Sequence, residues 1–384
     1  WLKMKSIAIF YASVGTGHRS AAEALRDQFI ESVPDGYVLC KDILEYTPTF
    51  LRSFISKTYL FMVKHAPWMW GMLYCGSDKT SLSSFCFDKI HTVLCKFFLP
   101  KIVTELSKQP IDAIFFTHFF GALPLVRKGG KIPIFYVNTD FLCHKFQISG
   151  EFKTTFVASA LAKNQHLDKN IHNVVYTGIP IPPKYNTLIS KQEARKKLGF
   201  EGEDKIVLIS GGGIGASSIY SVTKALAPYK NIKFVVICGN NNTLYKKLTA
   251  ELKGYTNVFI LKFIKNIEDY YVAADLGIIK PGGLSLSEAL AAQLPLLLMT
   301  PIPGQEKLNF DYLSKEGVVE VLENMEEIYK KVDRMLYEPG SLDEMRLKIK
   351  FFSRPYAARD ILEKAREQIM DTRKQENSTF NKNS

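Results

Sequence analysis

Short apolar runs alternate along this chain with longer stretches in which apolar residues recur every three or four positions. In the first half the runs cover residues 6–12, 37–40, 111–117, 132–139, 155–159 and 174–177. In the second half they cover 205–210, 233–238, 258–261, 275–279, 296–299 and 318–321. They lack the in-out alternation of a sheet with one wet face. Apolar runs separated by helices predict parallel strands covered on both faces. The chain has 384 residues, long for one compact core, so two such sets predict two α/β domains, each doubly wound and Rossmann-like.

The break between the sets is legible. Gly178-Ile179-Pro180-Ile181-Pro182-Pro183 places three prolines in six residues, which neither a helix nor a central strand continues. This predicts an amino-terminal domain over 1–178 and a carboxy-terminal domain over 184–350. A helix within 351–370 is expected to pack back towards the first domain, and 371–384 to form a polar tail, disordered over Gln375–Ser384. Two facing Rossmann-like domains would place a ligand cleft between the carboxyl ends of their sheets.

Charge narrows the partners. Fifty Lys and Arg stand against 38 Asp and Glu, a net charge of +12. Residues 1–184 hold 21 basic and 13 acidic side chains, so the first half carries most of the excess. That favours an anionic ligand or surface. Nucleic acid is disfavoured because neither a helix-turn-helix nor an RNP signature is present. The six cysteines are scattered, with no CxxC pair and no His cluster at metal-ligand spacing, and read as reduced thiols in a cytosol. No metal or other cofactor is expected, and the glycines at 211–213 and 215 interrupt the charge-free stretch 206–223, which is otherwise long enough to span a bilayer.

Three glycine turns carry the candidate chemistry. Ser13-Val14-Gly15-Thr16-Gly17-His18 follows the first strand and opens a helix. Glycine lets the backbone approach a ligand, the helix start favours negative charge, and the imidazole of His18 could accept a hydroxyl proton. A helix-start histidine satisfied by local hydrogen bonds is an equally good reading of the spacing. Ser210-Gly211-Gly212-Gly213-Ile214-Gly215 follows the first strand of the second domain, where bare amides suit a diphosphate. The third turn, Lys280-Pro281-Gly282-Gly283-Leu284-Ser285-Leu286-Ser287-Glu288, again joins strand to helix, with Glu288 placed to accept two ribose hydroxyls. Beyond the next strand, Pro301-Ile302-Pro303-Gly304-Gln305-Glu306 puts Gln305 and Glu306 at another such turn, near sugar hydroxyls.

The segments GTGHRSAAEAL, KPGGLSLSEAL, PIPGQEKLN and TGIPI closely resemble the monogalactosyldiacylglycerol synthase and processive diacylglycerol glucosyltransferase family, over roughly residues 5–370. The resemblance implies a GT-B fold and an inverting transfer of a hexose from a UDP-sugar to diacylglycerol. It places uracil near Phe263, the diphosphate near Gly212, Gly213, Gly282, Gly283, Leu284 and Ser285, and ribose on Glu288. Gln305 and Glu306 would face the hexose or its phosphates, and His18 would be the base beside Gly17. Asp140, in a Thr-Asp-Phe run with His144 four positions on, matches the acceptor side, although a strand-end capping Asp reads as well. Lys262 stands where relatives often carry Gly, and no tryptophan follows His144. Rival readings are GlcNAc transfer to a polyprenyl-diphosphate lipid, a UDP-sugar 2-epimerase, and a non-catalytic UDP-sugar sensor.

Residues 46–104 carry seven Lys or Arg against two Asp, with twelve aromatics. Trp68 and Trp70 suit an interface, where indoles settle at headgroup depth, and nearby cations meet anionic lipids. Phe85, Phe87, Phe97 and Phe98 read instead as core. The expected location is peripheral, at the cytoplasmic face of a membrane.

Overall fold

The computed structural model describes residues 4–13, 15–48, 58, 68, 98–200, 202–212 and 218–382. These form two compact units, Trp1–Pro183 with Tyr356–Ser384, and Lys184–Pro355.

The first unit runs β1 (Ser6–Tyr11), α1 (Thr16–Ser32), β2 (Tyr37–Asp42), β3 (Ala113–Phe116), α2 (Ala122–Arg127), β4 (Ile134–Val137), β5 (Thr154–Val157), α3 (Ala160–Leu167) and β6 (Val174–Tyr176). Its strands pair in parallel in the order β2-β1-β3-β4-β5-β6. The period-2 side-chain geometry of a strand explains the unbroken apolar runs. Ile7 and Ile9 point into one core with Phe115, Phe135 and Phe156. Ala8 and Phe10 point into another with Ile114, Phe116 and Tyr136. Both faces are dry, so both registers must be apolar.

The second unit runs α4 (Lys191–Lys197), β7 (Lys205–Ser210), α5 (Ser218–Leu226), β8 (Ile232–Ile237), α6 (Asn242–Glu251), β9 (Val258–Leu261), α7 (Ile267–Ala273), β10 (Leu276–Ile279), α8 (Gly283–Ala291), β11 (Leu296–Leu298), α9 (Gln305–Lys315), β12 (Glu320–Val321), α10 (Ile328–Tyr337) and α11 (Ser341–Phe352). Its sheet is again parallel, in the order β12-β11-β10-β7-β8-β9. Gly277 in β10 has no room for a side chain, since a Cβ there would lie 2.8 Å from Leu294 Cδ2. Where β10 begins, the buried carboxylate of Asp275 receives Lys191 Nζ at 2.6 Å, Arg195 Nη2 at 2.8 Å and Ile206 N at 2.8 Å. Burial alone would raise its pKa, but these donors hold it below the usual carboxylate value.

The last helix, α12 (Ala357–Lys382), differs from the sequence expectation in length, continuing past residue 370 through the stretch read as a disordered tail. Ala358, Ile361, Leu362, Ala365 and Ile369 bury one stripe against the sheet of the first unit. Three polar contacts extend the docking: Arg373 Nη2 meets Asp112 Oδ1 at 2.8 Å, Lys153 Nζ donates to Thr372 Oγ1 at 3.0 Å, and Thr154 Oγ1 donates to Gln368 Oε1 at 2.7 Å. Composition alone read this end as tail because its polar side chains follow the last apolar position of the stripe.

Among the described residues no helix is long and apolar enough to cross a membrane.

Candidate functional site

Each sheet reverses its strand order once. In the first unit the chain steps from β1 to β2 on one side and to β3 on the other. In the second it steps from β7 to β8 and β9, then to β10 on the opposite side. Loops at the carboxyl ends of the strands flanking such a switch point diverge and leave a crevice, the usual ligand site of an open α/β sheet. His18, Gly212 and Gly282–Glu288 follow the strands that flank these points.

In the first unit, His18 lies in the first turn of α1, directly after β1, with Gly17 beside it. Its Nδ1 is 2.9 Å from the carbonyl of Thr117, at the end of β3, and 2.8 Å from Thr139 Oγ1, just past β4. Thr117 Oγ1 in turn donates to the His18 carbonyl at 2.8 Å. A carbonyl can only accept, so the ring proton sits on Nδ1 and Nε2 keeps its lone pair. Burial lowers the pKa to about 4, against a smaller opposite pull from the Thr117 carbonyl. At neutral pH His18 is therefore an uncharged acceptor. Asp140 lies in the loop after β4, where its carbonyl accepts from Asn138 Nδ2 at 3.0 Å. His144 caps a short helical turn, with Nδ1 accepting from Phe146 N at 3.4 Å. Trp68 is described and 62% exposed, whereas Trp70 lies outside the described residues.

In the second unit, Gly212 follows β7 with φ +73°, a conformation favouring glycine. Its amide approaches Ser210 Oγ at 3.4 Å. Gly213 lies outside the described residues. After β10, Gly282 and Gly283 open α8, followed by Leu284 and Ser285. Lys280 was missed by sequence reasoning, although a cation just before Pro-Gly-Gly was its signal. Its Cε would lie 3.8 Å from a Cβ on Gly212 and 3.6 Å from one on Gly282, so the ammonium stem lies between the two turns. Glu306 holds it, with Nζ to Oε1 at 2.5 Å, while the other carboxylate oxygen accepts from Ile302 N at 3.2 Å. The Glu306 carboxylate therefore already has two protein partners before any sugar arrives. Asn309 Nδ2, fully buried, donates to the Pro281 carbonyl at 3.2 Å and braces the same loop.

Glu288 sits one turn further along α8. Burial pushes its carboxyl up to about 8, with the Lys184 cation pulling down and Glu268 pushing up. Among the described residues, the hydroxyl of buried Tyr185 has no partner, and neither has Oε1 of Gln305 at the start of α9. Buried polar atoms without partners cost free energy unless a ligand or water satisfies them. Phe263, in the loop after β9, presents a ring that is 55% exposed. An orphaned oxygen on Gln305, a neutral carboxyl, a bare ring and an anchored cation thus lie on segments that follow strands of one sheet, and Tyr185 lies ahead of that sheet's first strand. The titration of Glu288 has a consequence for stability. The unfolded carboxyl ionises near 4.5 and the folded one near 8. Stability conferred by the protonated group is thus lost as pH rises between those values. Glu288→Gln should remove that slope, so its melting temperature should gain on the parent between pH 5 and 8. A constant difference across that range would refute the raised pKa.

Residues 18–181 match the family described as Monogalactosyldiacylglycerol (MGDG) synthase, and residues 190–350 match Glycosyl transferases group 1. The first unit thus carries a match to the monogalactosyldiacylglycerol synthase model, and the second a match to the group 1 glycosyl transferase model. A processive diacylglycerol beta-glucosyltransferase from Bacillus mycoides is 27% identical over 369 residues, covering 94% of this chain and 93% of the relative. Among solved structures, MurG from Acinetobacter baumannii superposes with a TM-score of 0.58 at 15% identity, covering 94% of this chain and 99% of the other. A putative UDP-N-acetylglucosamine 2-epimerase from Listeria monocytogenes gives 0.63 at 14% identity, covering 94% and 95%. At those identities the likeness speaks to the fold, which is GT-B. The polyprenyl-lipid transferase and epimerase readings of the sequence thus share this architecture, while the sequence relatives belong to the glycolipid branch.

Proposed function

We propose that this protein transfers a hexose from a UDP-sugar to diacylglycerol, with His18 as the base. The observation that carries the reading is the free Nε2 of His18, left basic because Nδ1–H is committed to the Thr117 carbonyl. In the step, the acceptor hydroxyl oxygen bonds to the anomeric carbon, its proton passes to Nε2, and the bond to the diphosphate breaks with the electron pair leaving on UDP. The result is inversion at the anomeric carbon. A base with a pKa of about 4 is weak in the free protein. Negative charge developing on the departing diphosphate favours the imidazolium that forms.

The carboxy-terminal unit would hold the nucleotide. Phe263 offers a face for uracil, the protonated carboxyl of Glu288 donates to one ribose hydroxyl and accepts from the other, and Gln305 bonds the hexose. The amides of Gly212 and Gly282–Ser285 and the ammonium of Lys280 meet the diphosphate. Amides at a helix start and at the turn after β7, together with a cation, can stabilise the leaving group, so no metal is proposed. Glu306 acts through Lys280, which it orients. A lipid acceptor brings the enzyme to a membrane surface. Trp68 is exposed, and the excess of cations in 46–104 favours anionic lipid.

Incubation with diacylglycerol vesicles and either UDP-glucose or UDP-galactose, followed by mass analysis of the lipids, tests the proposal. The expected product is heavier than diacylglycerol by one or more hexoses. Conversion of UDP-sugar without acceptor would point to epimerase chemistry, and neither product from folded protein would defeat the reading.

A further inference from the structure

His118 directly follows Thr117, whose carbonyl fixes His18, and it plays no part in the mechanism so far. Its ring packs edge to face against that of His18, with centroids 4.6 Å apart and an interplanar angle of 89°. We propose that His118 is a positioning residue for His18, setting the plane in which the base presents Nε2.

The need for such a residue follows from the contacts to His18. Both polar partners of the ring, the Thr117 carbonyl and Thr139 Oγ1, converge on one atom, Nδ1. The Cβ–Cγ bond and the directional Nδ1–H bond restrain that edge of the ring, but among the described residues no polar contact holds the Nε2 edge. A second ring packed at right angles limits the remaining tilt. Orientation of this kind matters because a proton transfer needs its acceptor lone pair within hydrogen-bond reach of the hydroxyl. A displacement of about 1 Å can cost about 10²-fold in rate.

His118 is itself well held. It is 6% exposed. Its Nδ1 accepts from the backbone amide of Phe120 at 3.1 Å. Its ring stacks on Phe119 with centroids 4.5 Å apart and touches Phe120 at 4.6 Å. Accepting at Nδ1 requires a lone pair there, so His118 is neutral with its proton on Nε2. An uncharged neighbour suits a base that gains a positive charge during the reaction.

The inference rests on His18 being the base, and three variants of the full chain separate the possibilities. His118→Ala should lower kcat by roughly tenfold to 10²-fold while the KM for UDP-sugar and the affinity for UDP stay unchanged. His118→Phe keeps a ring against His18 and should recover most of that loss, although the Phe120 amide loses its acceptor. His118→Asn replaces Nδ1 by a side-chain oxygen without a ring; it should recover stability but not kcat. Nitrogen NMR of histidine-labelled protein should show His18 keeping its Nδ1–H form in all three variants, because the Thr117 carbonyl is still present, so that the loss of kcat reflects aim and not tautomer. If Asn restores kcat and Phe does not, His118 serves only to hold its loop and the proposal is overturned. Unchanged kcat in both non-aromatic variants overturns it as well. Full activity in His18→Ala would instead remove the base on which it rests.

Discussion

Replacing His18 by Ala should lower kcat by about 10²–10⁴-fold, the usual contribution of a positioned general base, while calorimetric UDP affinity stays within error. The separation is expected because His18 belongs to the amino-terminal unit, through Thr117 and Thr139, whereas every proposed nucleotide contact lies in the carboxy-terminal unit. The pH dependence gives an independent check. His18 acts as the free base, and its pKa of about 4 lies below the 6.5 of an ordinary imidazole. The rate per free enzyme should therefore hold steady from pH 7 to about 5 and fall as pH drops through about 4. A fall centred near 6.5 would show a solvated imidazole at His18 and contradict the partly buried, carbonyl-bonded one. Equal losses of UDP affinity and kcat in His18→Ala would instead place the histidine in donor binding.

Ending the chain at Pro355 should unfold the amino-terminal unit. The deletion removes α12, which supplies Ala358, Ile361, Leu362, Ala365 and Ile369 to the core beneath β1, β3 and β4. Burying one large aliphatic side chain contributes about 1.5–3 kcal/mol. Ile361, Leu362 and Ile369 together thus represent about 5–9 kcal/mol, against a net domain stability of about 5–15 kcal/mol. The Arg373–Asp112 ion pair goes too, but at partial exposure it contributes little by comparison. Scanning calorimetry should show the shortened chain losing the transition of the first unit while keeping that of Lys184–Pro355. A melting profile matching that of the full chain would show that α12 is dispensable to the core.

The dependence on α12 also marks where sequence reading stops. Apolar runs such as Ala113–Phe116 and Ile206–Ile209 are legible as buried parallel strands because both faces of a doubly wound sheet are dry, so both registers must be apolar. The three glycine turns are legible because each follows an apolar run and opens towards a helix, and at Gly212 the positive φ itself restricts side chains. His18 and Glu288 stand out because they follow such turns. None of these features depends on knowing which strands are neighbours.

What only the tertiary structure decided is which residues meet. Thr117, His118 and Thr139 lie about a hundred or more positions from His18, and nothing in their own spacing marks them. They reach it because β3 pairs with β1, and β4 with β3, bringing the loops after all three strands to one edge of the sheet. The same logic joins Lys280 to Gly212 through the pairing of β10 with β7, and it commits Glu306 to Lys280 rather than leaving both oxygens for a sugar. Tautomer, ring plane and pKa depend on those non-local partners. Local sequence sets which groups are available; strand order and burial set their protonation and aim.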